Sequence, residues 1–184
     1  MKRKSLSVTK KTLNFYLTKL KDPQVRKLYN LFSNNLASMD LTNKKIMVGV
    51  SGGADSLAVL FFSQCYALKH HTKLYPVIID HKLRKESTIE AKNLKYKLKQ
   101  NFKINCKILS KKIVKINKNI QSYARDLRYD LFFEECNKQK IDYLILGHHK
   151  DDLIENFFIR FLRGSGLKGL VSFDKNVILS LIHI

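Results

Sequence analysis

Short, nearly continuous apolar runs recur along the chain, separated by longer stretches in which apolar residues return every three or four positions. The runs are IMVGV (Ile46–Val50), LYPVIID (Leu74–Asp80), INCKIL (Ile104–Leu109) and YLILG (Tyr143–Gly147). Their length and lack of polar alternation predict buried strands. The periodic stretches predict helices. One covers Ser56–Leu68. A second covers Ser87–Asn101, with Ile89, Leu94 and Leu98 inward. A third covers Ile120–Lys140, with Tyr123, Leu127, Leu131 and Phe132 inward. A fourth covers Asp151–Arg163 and ends at GSGLKG. Residues 1–43 read as a helical extension, because Leu13, Leu17 and Leu20, then Val25, Leu28, Phe32 and Leu36, recur at helical spacing.

Strands alternating with helices predict an α/β fold over residues 44–179. It is a doubly wound parallel sheet, Rossmann-like, with helices on both faces. Ligands of such sheets sit at the carboxyl ends of the strands. Those ends are Ser51-Gly52-Gly53, Asp80-His81, Ser110 and His148-His149, so the polar residues of interest converge on one edge.

Charge changes this picture. The chain has 184 residues, enough for one domain with a real core, and carries 35 Lys and Arg against 15 Asp and Glu, a net +20. Such a balance favours a polyanionic partner, nucleic acid above all. An AT-rich genome, which enriches Lys, Asn and Ile, accounts for part of it. Residues 1–43 hold nine Lys and Arg against two acids, and Lys82–Lys118 holds thirteen against two. Cys65, Cys106 and Cys136 are far apart and form no CxxC, which argues against a disulfide framework, a zinc site or an iron–sulfur site made by this chain alone. Free thiols in a reducing cytoplasm are the expectation. The N-terminus lacks a continuous apolar segment and a small-residue cleavage site, and no run reaches the ~18–20 apolar residues of a bilayer span.

The candidate chemistry starts at SGGADS. A strand feeding a glycine turn feeding a helix presents backbone N–H groups at a helix N-terminus, which makes an anion site. Gly52 and Gly53 let the backbone approach a phosphate, Ala54 lies within the loop, and Ser51 and Ser56 carry hydroxyls for phosphate oxygens. Asp55 would repel a phosphate directly but suits Mg²⁺ or an incoming amine. A plain strand-to-helix turn with a first-turn acid is the bland reading. The segment matches neither G-x-x-x-x-G-K-[ST] nor G-x-G-x-x-G.

SGGADS after an apolar strand resembles the phosphate loop of the N-type ATP pyrophosphatases, the PP-loop superfamily. IDHKLRKES (Ile79–Ser87), SYARDLRYDLF (Ser122–Phe132) and LGHHKDDLIENFFIRFLRGSGLKGL (Leu146–Leu170) resemble, in order and spacing, segments of the tRNA(Ile)-lysidine synthetase family. The resemblance covers roughly residues 44–179. It implies a ligase that joins L-lysine to C2 of the wobble cytidine of tRNA(Ile) bearing a CAU anticodon. ATP is the co-substrate, Mg²⁺ assists, and an adenylated tRNA is the intermediate. It also implies a cytoplasmic enzyme without membrane attachment, and a homodimer is compatible with it.

The resemblance assigns roles residue by residue, each beside a plainer alternative. Ser51 through Ser56, with Asp80 and His81, would bind ATP, although Asp80-His81 also fits turn chemistry. Asp151 and Asp152 would join Asp55 at Mg²⁺, although acids at a helix start are favoured by its dipole. Arg125 and Arg128 lie three apart on one helix and would bind nucleotide or tRNA phosphates, with a salt-bridge ladder to Asp126 and Asp130 as the alternative. Asp55, Arg125 and Asp151 are the catalytic candidates. His148, His149, Arg160 and Arg163 would contact substrate or tRNA, although Arg160 and Arg163 also suit a helix C-terminus. Leu153 and Asn156 depart from the family, which usually has glutamine and threonine there.

Two other functions compete. A tRNA thiolase would need persulfide or iron–sulfur chemistry, for which the isolated cysteines are poorly suited. A nucleotide- or RNA-binding fragment without turnover is the other. The final residues, from about Ser180, do not continue the family pattern. LIHI matches one reading frame of a transposon-derived sequencing adapter, so residues 180–184 are expected to be an assembly artefact.

Overall fold

The computed structural model describes residues 10–37, 39, 41–84, 86–111, 120–141, 143–147 and 180–182. The described elements are α1 (Lys10–Lys19), α2 (Pro23–Ala37), β1 (Lys45–Gly49), α3 (Ala54–His70), β2 (Lys73–Asp80) and α4 (Ser87–Phe102). They continue as β3 (Lys107–Ser110), α5 (Ile120–Gln139), β4 (Tyr143–Leu146) and β5 (Ser180–Ile182). The four expected strands and the three expected helices between them form, but the third strand starts at Lys107, three residues later than expected, because only from there does it pair with β2. The helix expected over Asp151–Arg163 lies outside the described residues.

The strands form one sheet in the order β3-β2-β1-β4-β5, and every pair is parallel. From β1 the chain steps outward through β2 to β3, then returns to place β4 on the other side of β1. The carboxyl ends of β1 and β4 therefore flank the topological switch point, where such sheets open a crevice. Ser180–Ile182 pair with Tyr143–Ile145 at the far edge. Backbone pairing of this kind accepts many apolar sequences, so it does not bear on the origin of those residues.

Strand alternation sorts the apolar runs onto two faces. Ile46, Val48 and Val50 of the first run and Ile145 of β4 enter one cluster, under α1 to α4. Met47, Leu144 and Leu146 enter the other, against Phe132 and Cys136 of α5. A run buried on both faces has no polar alternation, which is why these segments read as continuous.

The N-terminal extension is two helices packed into the first cluster. Tyr16, Phe32 and Leu36 are essentially inaccessible. The inward face differs from the leucine stripe expected there. Leu13, Leu17 and Leu28 are 38%, 50% and 55% exposed. Phe32 and Leu36 are buried as expected, while Tyr16 and Tyr29 take the inward places beside Leu17 and Leu28: Tyr16 meets Phe61 of α3, and Tyr29 meets Phe62 together with Phe32, with ring centroids 5.3–6.2 Å apart. The larger rings remove more apolar surface from water and fill the gap over α3. In α4, Leu98 is buried as expected, but Ile89 is 61% exposed and small Ala91 faces the sheet.

Candidate functional site

Between β1 and α3 the chain makes a turn organised by one hydroxyl. Ser56 Oγ accepts from the backbone N–H of Gly52 (3.1 Å) and of Ser51 (3.3 Å) and from the Ser51 hydroxyl (3.1 Å). It donates to the Gly53 carbonyl (2.9 Å). Ser56 is buried and Ser51 is exposed. The Ser56 hydroxyl, expected to meet phosphate oxygens, takes its partners here within the loop itself. Gly52 has φ +92°, a conformation that side chains rarely adopt. Gly53 precedes Ala54 as an extended N-cap without a side-chain cap. The first helical bond runs from Leu57 N–H to the Gly53 carbonyl. The opening amides of α3 therefore lie at the loop, carrying the positive end of the helix dipole.

A cleft of about 400 Å³ opens beside this loop. Ser51, Gly52, Ser56 and Gly147 form one side. His81, Arg84, Ser87, Glu90 and Leu94 come from the end of β2 and the start of α4, and Arg128 comes from α5. The carboxyl ends of β1, β2 and β4 thus converge, as the order of strands requires.

Arg128 makes no ion pair among the described residues. Burial pushes its pKa down from the ordinary guanidinium value, and the charge of Arg125 adds to the effect, against an opposing contribution from Tyr129. An arginine remains charged under such a shift, so a partly desolvated cation faces the cleft. Arg125, three residues away, does not line it. His81 lines the cleft with Nδ1 buried and without a hydrogen-bond partner among the described residues. Burial lowers its pKa, the Arg128 charge pushes the same way, and Asp80 opposes both. His81 is therefore neutral near pH 7.

Asp80 is buried, and both its oxygens are engaged. Oδ1 accepts from Lys82 N–H (3.0 Å) and Oδ2 from the Thr88 hydroxyl (2.7 Å). This is the turn chemistry weighed for it above. It ties the end of β2 to the start of α4 and so aims His81. Asp55 is exposed in the first turn of α3. His148, His149, Asp151, Asp152, Arg160 and Arg163 lie outside the described residues. Among the described residues no three His, Cys, Asp or Glu cluster as a metal site. Of the three carboxylates expected at Mg²⁺, only Asp55 is among the described residues. One or two carboxylates with phosphate oxygens and water suit that ion, so its chemistry fits.

Sequence reasoning missed Arg84, Ser87, Glu90 and Leu94. Arg84 and Glu90 pair at 3.3 Å on one wall of the cleft, and the Arg84 N–H reaches Ser87 Oγ at 3.3 Å. It also missed Gly147, which lies against the backbone of Ser56, a residue far away in the chain. Burial pushes the cysteine thiols up, to about 12 for Cys65 and Cys106 and about 11 for Cys136. They are buried and far from thiolate character at neutral pH. Among the described residues no helix is long and apolar enough to cross a membrane.

A PP-loop domain family model matches residues 20–184. The tRNA(Ile)-lysidine synthase of Orientia tsutsugamushi (strain Boryong) is 44% identical over 130 residues, 71% of this chain and 29% of that protein. That of Wolbachia pipientis wMel is 37% identical over 155 residues, 84% of this chain and 36% of that protein. That of Rickettsia rickettsii (strain Sheila Smith) is 36% identical over 155 residues, 81% of this chain and 31% of that protein. The chain thus spans about a third of the length of these curated relatives. Among solved structures, the U34-tRNA thiolase NcsA from Methanococcus maripaludis, with its 4Fe–4S cluster, superposes with a TM-score of 0.68 at 22% identity. The alignment covers 92% of this chain and 59% of that one, and at this identity it shows a common fold.

Proposed function

Since the chain belongs to the PP-loop domain family, we propose that it is the catalytic portion of a tRNA(Ile)-lysidine synthase. The observation that carries this reading is the Ser56-centred loop at the switch point, faced across the cleft by the desolvated Arg128. The names of relatives 36–44% identical to it point to tRNA(Ile) and to lysine as the group that makes lysidine, and the PP-loop domain points to ATP.

ATP phosphates lie over Gly52, Gly53 and the opening amides of α3, where the turn exposes backbone and the helix dipole favours an anion. Arg128 neutralises phosphate charge as it develops and needs little reorganisation to do so. The cytidine C2 oxygen attacks the α-phosphate and pyrophosphate leaves. The deprotonated lysine ε-amine then attacks C2, and AMP leaves with the C2 oxygen. Asp55, with Asp151 or Asp152, would hold Mg²⁺, which when bound neutralises phosphate charge. Neutral His81, beside Arg128, offers Nδ1 as a hydrogen-bonding group without adding charge. Arg125 acts behind Arg128 in this reading. We place the reaction in the cytoplasm, where three free thiols persist.

The thiolase alternative shares only the fold and needs a reactive sulfur. Three buried thiols with raised pKa values do not offer one. The test is AMP formation from ATP, assayed with and without lysine and a CAU-anticodon tRNA(Ile). AMP formation that requires both is expected. ATP turnover indifferent to lysine would overturn the reading.

A further inference from the structure

One side of α4 carries a line of lysines that no carboxylate pairs with among the described residues. Lys92, Lys95 and Lys99 stand three and four residues apart and so share one helix face. Lys103 continues the line at the C-cap, where its Nζ donates to the Gln100 carbonyl (2.7 Å). Lys92, Lys99 and Lys103 are exposed and Lys95 is half-buried. No acid occurs in the sequence between Glu90 and Asp126. Elsewhere in this basic region Arg84, Lys107 and Lys111 are paired, with Glu90, Glu135 and Glu134. None of the four lysines of the line is in an ion pair among the described residues. Tyr96, one turn from Lys92, is 64% exposed beside them.

The direction of the line matters. Ser87, Glu90, Ala91 and Leu94 place the first half of α4 on the cleft wall. From there the lysines lead away along the helix, and Lys92 to Lys103 spans about 16 Å at 1.5 Å per residue. A row of that length can follow several phosphates of one strand. An exposed tyrosine among cations adds a ring on which an unpaired base can stack. An acidic protein surface would use the charge but not the ring.

We propose that the Lys92–Lys95–Lys99–Lys103 face of α4, with Tyr96, is a docking surface for the phosphate backbone of the RNA strand whose reacting nucleotide enters the cleft. This rests on the RNA-directed reading above and adds where the RNA lies. Its test does not require turnover, so failure of the ligase assay and failure of docking are separate results.

The full chain carrying Lys92→Gln, Lys95→Gln and Lys99→Gln is compared with one carrying Lys19→Gln, Lys21→Gln and Lys27→Gln, which loses equal charge around α1 and α2. Binding of a fluorescent CAU anticodon stem–loop RNA is titrated by anisotropy at stepped salt, and ATP binding checks the fold. The α4 variant is expected to bind RNA on the order of tenfold more weakly. Its dependence of log K on log salt should be shallower by about two to three, as for three lost phosphate contacts. If the triple variant loses ATP binding, Lys99→Glu against Lys27→Glu is scored instead. Unchanged affinity and salt slope, or equal losses in the α1–α2 variant, would overturn the proposal.

Discussion

Gly147, just after β4, lies against the backbone of Ser56 in the first turn of α3. A Cβ on Gly147 would stand 2.8 Å from both the nitrogen and the Cα of Ser56. The end of one strand therefore supports the loop that follows its neighbour, and only a residue without a side chain fits between them. Gly147→Ala must displace the helix start or the strand end. The expected cost is about 1–3 kcal/mol of stability, with weaker ATP binding. Thermal unfolding and ATP titration of the variant check both, and a variant matching the unsubstituted chain in both would contradict the close approach.

Ser56→Ala removes the acceptor of two backbone N–H groups and of the Ser51 hydroxyl. The donors sit on exposed residues that water can reach, so the loss is that of ordinary hydrogen bonds, about 0.5–1.5 kcal/mol each. Ser51→Ala, at an exposed position, should cost less. The order of the two losses in denaturant unfolding and in ATP affinity distinguishes an internal organiser from a simple phosphate contact.

Arg128→Gln should weaken ATP binding by on the order of tenfold to a hundredfold, as for lost charge-assisted hydrogen bonds of about 1.5–3 kcal/mol. Arg125→Gln should weaken it less, because Arg125 does not line the cleft. Equal losses in equilibrium titrations with ATP would show that the two arginines share the phosphates.

Tyr16 is 1% exposed, and its hydroxyl donates to the Phe102 carbonyl at 2.5 Å, joining α1 to the end of α4. Tyr16→Phe should cost about 1 kcal/mol. Tyr16→Ala should cost about 3–5 kcal/mol, because the ring fills space in the core. A near-neutral Tyr16→Ala in chemical denaturation would show that α1 is an appendage after all.

His81 has a folded pKa below its ordinary value of 6.5. The unfolded chain then binds a proton more readily than the folded one. The stability held by neutral His81 is complete above pH 6.5 and is lost as pH falls through its folded pKa. His70 shares the direction of shift, so the comparison must isolate His81. His81→Asn should flatten the loss of stability on acidification relative to the unsubstituted chain, as read from unfolding at stepped pH. Identical profiles would mean that His81 takes no part in it.

Much of this protein is legible in its sequence, because the physics involved is local. IMVGV, LYPVIID and YLILG read as buried strands because apolar residues on both sides leave no polar alternation. SGGADS reads as an anion loop because glycine freedom and a helix start are properties of adjacent residues. Strand–helix alternation predicts the parallel sheet and puts Ser51–Gly53 and His81 at one edge.

Tertiary structure decided what depends on residues far apart in the chain. Helical spacing placed Phe32 and Leu36 inward, but the choice of Tyr16 and Tyr29 over Leu17 and Leu28 followed from their fit against Phe61 and Phe62, because a helical period counts hydrophobicity without weighing shape. The choice of Arg128 over Arg125 for the cleft followed from how α5 lies on the sheet, since residues three apart share a face but diverge in angle. The roles of Asp80 and Ser56 followed from partners that satisfied their buried oxygens. Gly147 gained its function from a backbone ninety residues earlier, brought against it only because β4 inserts beside β1.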